Sequence, residues 1–491
     1  MSECKEKNIP CKPRVTLINP PFIEGFSRGQ RSPAVTRSGT LYYPMWLAYA
    51  AAHAHRVGAE VLLVDAIARK INFEDSLRII ATFRPEIVVV ETSTPSIESD
   101  LKFAETLAAS MPDANVAVCG THVSALPEDV FLKAPSVKAV IIGEYEIPLE
   151  ELIKAVADRR PFDNLEGVYT RKTRIKSRSR YFDDLDARPF VSEIYKRFLP
   201  VEAYFNPNSH YPMVAVFTGR GCPFRCSFCV FPQTLTGHQY RKRSVDSIIE
   251  EFAFIEENLP KVRGVFIEDD TFTADPERVR EFCEKFVEKG FRLSWSANSR
   301  ADVPRELLEI MKKSGLRALC TGFETGSQQL LNNIGKGIKL DTMRQFAQNA
   351  EAAGVKVHGC FIYGLPGETR KTMIETLNFA LSLPLDTAQF YPLMVYPGTR
   401  AYQQADKLGL ITAENFRNWI SQEDGTHNCV IRTCDCSSEE IVQFCNYSRR
   451  KFYLRKSWLA RTFAGVVRNS EERQRVLKSA KTFLQHLWHD K

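Results

Sequence analysis

The sequence predicts an α/β protein made of two successive strand–helix series and a helical C-terminal region. Three observations carry this. Apolar strands alternate with helical stretches over residues 14–160, and the alternation returns over 211–394. A segment rich in charge and proline separates the two series. At the head of the second, three cysteines crowd into one loop, directly after an apolar strand and before a helix. Such alternation calls for parallel strands covered by helices. The expected limits are a Rossmann-like domain at 14–160, a linker at 161–208, a partial (β/α)6 barrel at 209–428 and helices at 429–491.

In the first series, strands are expected at 15–19, 60–65, 86–91, 115–119 and 137–142, with helices at 43–57, 73–83 and 97–110. Ligands of a parallel sheet bind at the carboxyl ends of its strands. Those ends carry Asn19-Pro20-Pro21-Phe22, Thr92-Ser93-Thr94-Pro95-Ser96, Gly120-Thr121-His122-Val123-Ser124 and Gly143-Glu144-Tyr145-Glu146. Small residues there let a large planar ligand approach backbone amides closely. No G-x-G-x-x-G follows the first strand, which weakens a dinucleotide reading. The linker, with Arg171-Lys172 and the run 176–180, reads as a short hairpin with a solvated charged face.

The second series opens on Gly219-Arg220-Gly221-Cys222-Pro223-Phe224-Arg225-Cys226-Ser227-Phe228-Cys229. The spacing C-x3-C-x2-C turns three sulfurs onto one small volume. Thiolate is the soft ligand of iron–sulfur clusters, and a four-iron cluster normally takes four protein ligands, so three leave one iron open. A zinc knuckle would need a fourth ligand, for which His238 is the nearby candidate, and three buried thiols are the bland reading. The flanks favour the cluster: 213–218 reads as the strand feeding the loop, and Ser244 caps a helix over 245–254. Later strands are expected at 264–268, 292–297, 318–323, 355–363 and 387–394. With the strand at 213 they make six, and the reactive site belongs at their carboxyl ends.

Beyond the barrel, residues from 437 read as helical, with a basic, aromatic stretch at 449–456 continuing to 488. That stretch suits either an anionic lipid or acidic protein partner, or a helical cap whose Lys and Arg stems reach water. Cys119, Cys283, Cys320 and Cys360 fall in apolar patterns as small buried hydrophobes. Cys429, Cys434, Cys436 and Cys445 leave two readings, an auxiliary cluster or free thiols.

Bulk composition agrees with a soluble globular protein. The 491 residues are 44% hydrophobic and 25% charged, so there is ample core. The net charge of +7 is mild for this length and requires no nucleic acid. No apolar run approaches the ~20 residues of a membrane span. The first residues lack the apolar core of a signal peptide. Thirteen cysteines in so long a chain, three of them in a cluster motif, point to a reducing cytoplasm rather than to a disulfide scaffold.

The cysteine loop and the strand ends after it resemble the radical S-adenosylmethionine (SAM) superfamily. The resemblance implies a [4Fe-4S] cluster on Cys222, Cys226 and Cys229, with SAM chelated at the open iron. It places SAM-binding groups at Asp269 and Asp270, at Ser296, Asn298 and Arg300, at Glu324, and at Ile362 and Gly364. The first series, standing before such a core, resembles the cobalamin-binding domain of B12-dependent members. That likeness assigns cobalamin contacts to Asn19, Thr92, Ser93, Thr94, Ser96, Gly120, Thr121, His122, Gly143 and Glu144. The D-x-H-x-x-G motif, whose histidine ligates cobalt in many cobalamin domains, is absent; His122 is the one nearby exception.

Methyl transfer to an unactivated carbon, by way of a 5′-deoxyadenosyl radical and methylcobalamin, is the activity this pairing implies. The alternative is a cobalamin-assisted rearrangement or cyclisation without methyl transfer. A cobalamin sensor with a degenerate barrel is the reading from another class. A low-potential donor such as ferredoxin or flavodoxin is the expected partner. The substrate class stays open among lipids, small molecules and protein side chains.

Overall fold

The computed structural model describes residues 12–173, 181–468 and 473. They fall into two compact units. One takes the residues up to Glu24 with Pro44–Pro200, the other Gly25–Tyr43 with the residues from Val201 onward.

In the first unit the strands are β1 (Arg14–Asn19), β2 (Glu60–Asp65), β3 (Ile87–Glu91), β4 (Asn115–Cys119), β5 (Ala139–Ile141) and β6 (Val168–Tyr169). Their order is β2-β1-β3-β4-β5-β6, parallel except for β6, which runs antiparallel to β5. Every residue of β3, Ile-Val-Val-Val-Glu, is buried, as a central parallel strand covered on both faces requires. The order reverses at β1 and β3, and that switch point is where an open sheet of this kind receives its ligand. Helices Phe73–Phe83 and Ile97–Ser110 match the expected spans residue for residue.

Two expectations for this unit change. The first helix is Met45–Arg56, with Pro44 at its N-cap. Tyr43 is not helical; it belongs to the second unit, where its hydroxyl donates to the Met213 carbonyl at 2.9 Å and its ring stacks on Tyr204 at 3.8 Å. The stretch expected as a linker contains a packed helix, Val191–Phe198, set against Met45–Arg56. Its apolar residues Val191, Ile194 and Tyr195 recur at helical spacing and are buried, a pattern easily hidden among charges. Nearby Arg188 is also buried, against Glu146 at 3.3 Å and Glu144 at 3.8 Å. The run 176–180 lies outside the described residues.

The second unit holds β7 (Met213–Val216), β8 (Gly264–Ile267), β9 (Ser294–Ser299), β10 (Leu316–Glu324), β11 (Lys356–Tyr363) and β12 (Thr387–Pro392). They lie in chain order, all parallel, as one six-stranded sheet. This is the expected partial barrel, with β9 two residues later than its predicted start. Side chains alternate with the strand period of two. Phe323, Phe361 and Phe390 on β10–β12 stack at 5.5 and 5.2 Å within the core. The alternate positions 320, 322, 324, 358, 360 and 362 face the barrel interior instead.

Helix Ser438–Tyr453 begins at a Ser437/Glu440 capping box and buries Ile441, Cys445 and Phe452. Tyr453 bonds both backbone groups of Ala388 on β12. The cap reading of the tail therefore holds for this helix; residues 474–488 of the expected basic stretch lie outside those described. No described helix is long and apolar enough to cross a membrane.

Candidate active site

The cysteine loop is shaped by its backbone before any ligand is considered. Gly221 has φ +83°, and a Cβ there would sit 2.0 Å from the Gln239 carbonyl. Only glycine allows so close a crossing. Residues Gly219–Arg220 pair with Arg241–Lys242, and the Cys222 amide donates to the Gly237 carbonyl at 3.3 Å. The Gln233 amide group reaches back to the Cys229 carbonyl at 2.8 Å and the Ser227 carbonyl at 3.1 Å. These contacts hold the loop in shape without using a thiol.

All three thiols line a cavity of about 430 Å³ inside the barrel, wholly within the second unit. Burial, with Asp270 next in importance, raises the Cys222 thiol to about 11 and drives Cys229 well up. Burial beside a carboxylate favours the neutral thiol at Cys222 and Cys229, and a bound cationic metal group would stabilise their thiolates.

Of the other residues expected here, Asp270, Asn298, Arg300, Glu324 and Ile362 line the same cavity. Asp269, Ser296 and Gly364 do not. The strand period explains Asp269: Glu268 and Asp270 face the cavity, so the residue between them points away. Its carboxylate accepts from the Thr218 amide at 2.7 Å and hydroxyl at 2.6 Å, anchoring the entry to the cysteine loop. Ser296 donates its hydroxyl to the Asn208 carbonyl at 2.6 Å. The Gly364 amide donates to Glu368 at 2.8 Å, in a turn packed against Ile431.

Arg300, expected among the SAM-binding groups, lines the cavity but engages the protein itself. Its guanidinium lies 3.6 Å from the Phe224 ring centroid and donates to the Lys336 carbonyl at 2.9 Å. It thus braces the cysteine loop against the turn that follows helix Gln328–Asn333. Glu324, at φ +65°, pairs with Lys336 at 2.6 Å, both nearly fully buried. Burial works against the Lys336 charge, but Glu324 and Cys226 together offset it and the lysine pKa is raised.

Residues Gly25–Tyr43 escape a reading of the sequence, which groups them with the first series. Gln30, Arg31 and Tyr42 from this strap line the cavity. The Arg31 guanidinium donates to Glu268 Oε1 at 2.7 Å, the Glu268 carbonyl at 3.0 Å and Asp270 Oδ1 at 3.1 Å. Burial opposes its charge, and the two carboxylates restore and raise its pKa. Glu268, raised mainly by burial, keeps Oε2 without a hydrogen-bond partner, as does Gln30 Nε2. Buried polar atoms left unpaired on a cavity wall fit a polar ligand seated there. No periodic pattern marks residues 25–43, so only the tertiary contact reveals them.

Cys320 and Cys360, expected as buried hydrophobes, are half-buried and line the cavity as well; Cys119 and Cys283 are buried as expected. Cys436 is buried with its sulfur 3.7 Å from that of Met373, while Cys434 is exposed. Among the described residues, Cys429, Cys434, Cys436 and Cys445 form no metal-holding group.

In the first unit, the strand ends at the switch point bring small polar side chains together. Asn19 donates to Asp65 at 2.8 Å, and Thr92 donates to the Cys119 carbonyl at 2.8 Å. Ser93 and Ser96 hydroxyls meet at 2.7 Å, and Ser96 donates to Asp100 at 2.6 Å. Gly120, at φ +131°, runs so close to β3 that a Cβ would lie 2.2 Å from the Thr92 carbonyl. Thr121 and His122 start the short helix after it, and the Gly143 amide donates to Ser124 at 3.1 Å. His122 is buried rather than solvated, 3.1 Å from Thr94 Oγ1, and burial lowers its pKa to about 3. Glu144 is turned to Arg188. The crevice offers hydroxyls, a neutral imidazole and bare backbone, which fits a large ring lying flat against it.

Comparison with known proteins settles the kind of molecule. The radical SAM superfamily model matches residues 216–380, and the B12 binding domain model matches 31–153. The chain is a B12-binding radical SAM enzyme. It is 29% identical over 425 residues to an uncharacterised methyltransferase of Pyrococcus horikoshii, covering 85% of this chain and 89% of that relative. It is 24% identical over 460 residues to the anaerobic magnesium-protoporphyrin IX monomethyl ester cyclase of Rubrivivax gelatinosus, covering 90% and 78%. The fold matches the radical SAM methyltransferase TsrM of Kitasatospora setae, solved with cobalamin and a [4Fe-4S] cluster, at TM-score 0.68 and 15% identity, covering 96% of this chain and all of that one. The B12-binding radical SAM chain accordingly takes a [4Fe-4S] cluster, SAM and cobalamin as its cofactors.

Proposed function

We propose that the protein is a C-methyltransferase acting on an unactivated carbon. The observation that carries this reading is the barrel cavity, where three thiols from one loop face paired carboxylates and unpaired polar atoms, in a chain with a B12-binding unit. Bound there, the cluster and SAM supply a carbon radical able to take hydrogen from an sp3 carbon, and cobalamin supplies the methyl group.

In this reading Cys222, Cys226 and Cys229 hold the cluster. Glu268, Asp270, Asn298 and Glu324 bind SAM, with Gln30 offering a donor from the strap. Arg31 positions Glu268 and Asp270, and Arg300 positions the cysteine loop through Phe224. In the first unit Asn19, Thr92, Ser93, Thr94, Ser96, Gly120, Thr121, His122, Gly143 and Glu144 form the cobalamin crevice. No side chain is asked to act as acid or base on the reacting carbon, because such a carbon is hardly acidic. The residues bind, orient and keep water away.

A low-potential ferredoxin or flavodoxin is the proposed reductant, and the reducing cytoplasm the proposed location. The cyclase relative supports a second reading, ring formation without methyl transfer. Anaerobic incubation of the reconstituted protein with cobalamin, SAM and a strong reductant separates the two. Methyl transfer requires both 5′-deoxyadenosine and cobalamin-dependent S-adenosylhomocysteine by mass spectrometry. Deoxyadenosine alone, with cobalamin bound and reducible, favours ring formation; neither product sinks both readings.

A further inference from the structure

Cys320, His358 and Cys360 place one ligand atom each within 4.8 Å of one another, the sole such group among the described residues. They stand on adjacent parallel strands, β10 and β11. Cys320 is the direct register partner of His358, and Cys360 stands two residues later on the same face. All three line the cavity that holds the cluster loop. We propose that these three residues bind one zinc-class divalent cation, whose open fourth position takes a nitrogen or sulfur atom of the substrate.

The geometry carries the ion. The two sulfurs are 3.9 Å apart. Zinc–sulfur bonds of about 2.3 Å in a tetrahedron put two thiolates roughly 3.8 Å from one another. A disulfide would bring the sulfurs to about 2.05 Å, so the pair is not bonded. The ligand atoms lie close enough to share one ion, whereas a four-iron cluster spreads its ligands over separate irons. Two cysteines and a histidine with an open position are a recognised catalytic zinc set. His358 Nδ1 lies 2.8 Å from Thr387 Oγ1. A zinc-bound histidine uses one ring nitrogen and anchors the other on such a partner.

Binding releases the two thiol protons to solvent and changes no oxidation state. Zinc with two thiolates and a neutral imidazole carries no net charge, so the open position accepts a neutral or anionic donor at little electrostatic cost. An ion fixed on the barrel wall would hold that heteroatom and so choose which neighbouring carbon faces the radical. The ion site stands on the three residues alone. The substrate role rests on the cavity being the SAM site, which formation of 5′-deoxyadenosine tests separately.

The test uses the full-length protein with its cluster reconstituted and cobalamin bound, exposed anaerobically to zinc chloride and passed over a chelating resin. Zinc K-edge absorption is blind to the iron and cobalt. The expected result is one zinc per chain with two sulfurs at about 2.3 Å and lighter atoms completing the shell. Cys320→Ala and Cys360→Ala should each weaken retention at least about 100-fold, and Thr387→Val roughly 10-fold. No zinc retained by the wild-type protein overturns the site, as does a three-sulfur shell, which would put the ion on the cysteine loop. An unchanged shell in the Cys320→Ala/Cys360→Ala double variant overturns it too. The wild-type shell decides the matter even where a variant fails to fold.

Discussion

The two parallel sheets present different chemistries at the same topological place. At the switch point of the first unit, hydroxyls bond to one another, to backbone and to Asp100, as in Ser93, Thr92 and Ser96, and the His122 imidazole is held neutral, with one buried ion pair, Arg188 with Glu144 and Glu146, after β5. In the second unit the strand ends carry buried charge: Arg31 against Glu268 and Asp270, and Lys336 against Glu324. A ring pressed on backbone is bound by shape, and bare glycine serves it. A zwitterionic ligand beside a metal cluster is bound by fixed charges, and these must be paired when buried. The difference shows that architecture sets where a ligand goes, while strand-end residues set what it is.

The sharpest way to break the comparison is to remove charge chemistry from the second unit alone. Cys226→Ala should abolish 5′-deoxyadenosine formation and lower iron content, while cobalamin retention by the first unit persists. Deoxyadenosine formed at wild-type rate by folded Cys226→Ala protein would defeat the cluster assignment.

The converse change is Gly120→Val. A Cβ 2.2 Å from the Thr92 carbonyl, at a positive φ, forces the strand end apart at a cost of about 1–3 kcal/mol. Cobalamin retention and S-adenosylhomocysteine formation should fall more than tenfold, with deoxyadenosine still produced. Gel filtration followed by absorbance reads the first, mass spectrometry the others.

A subtler change tests whether the strap completes the charged site. Arg31→Met leaves Glu268 and Asp270 without their cation, and since the arginine is 29% exposed the loss should be about 1–3 kcal/mol. The apparent affinity for SAM should weaken with it. Adding Glu268→Gln should recover melting temperature but not SAM affinity. Recovery of both would make Glu268 a purely structural partner.

The smallest effect concerns pH. His122 has a folded pKa of about 3 against an ordinary 6.5, so the unfolded chain binds its proton more readily. Its contribution is complete above pH 6.5 and is withdrawn as pH falls toward 3. His122→Asn should flatten the acid limb of a stability–pH curve, and an unchanged slope between pH 6 and 4 would remove His122 from the neutral crevice.

Much of this is legible along the chain. Strand 60–65 and helices 73–83 and 97–110 stand where their apolar periodicity puts them, because each pattern is complete within a dozen residues. The helix Val191–Phe198 reads as linker in the sequence since its buried stripe is short and set among charges. Asp269 and Asp270 look alike there because both are acidic, though a strand can aim only alternate residues at one face. Glu268, with its unpaired oxygen on the cavity wall, is the residue that this rule finds.

The sequence by itself determined the cluster motif, since the C-x3-C-x2-C spacing and Gly221 lie within one short window. It also determined two rounds of parallel strands and the ends where ligands belong. Only the tertiary structure decided that Arg31 meets Glu268 across 237 positions of sequence, and that Cys320, His358 and Cys360 share one wall. Periodicity is written into neighbouring residues; the pairing of buried charges and ligands is written into strand register and chain return, which no local window contains.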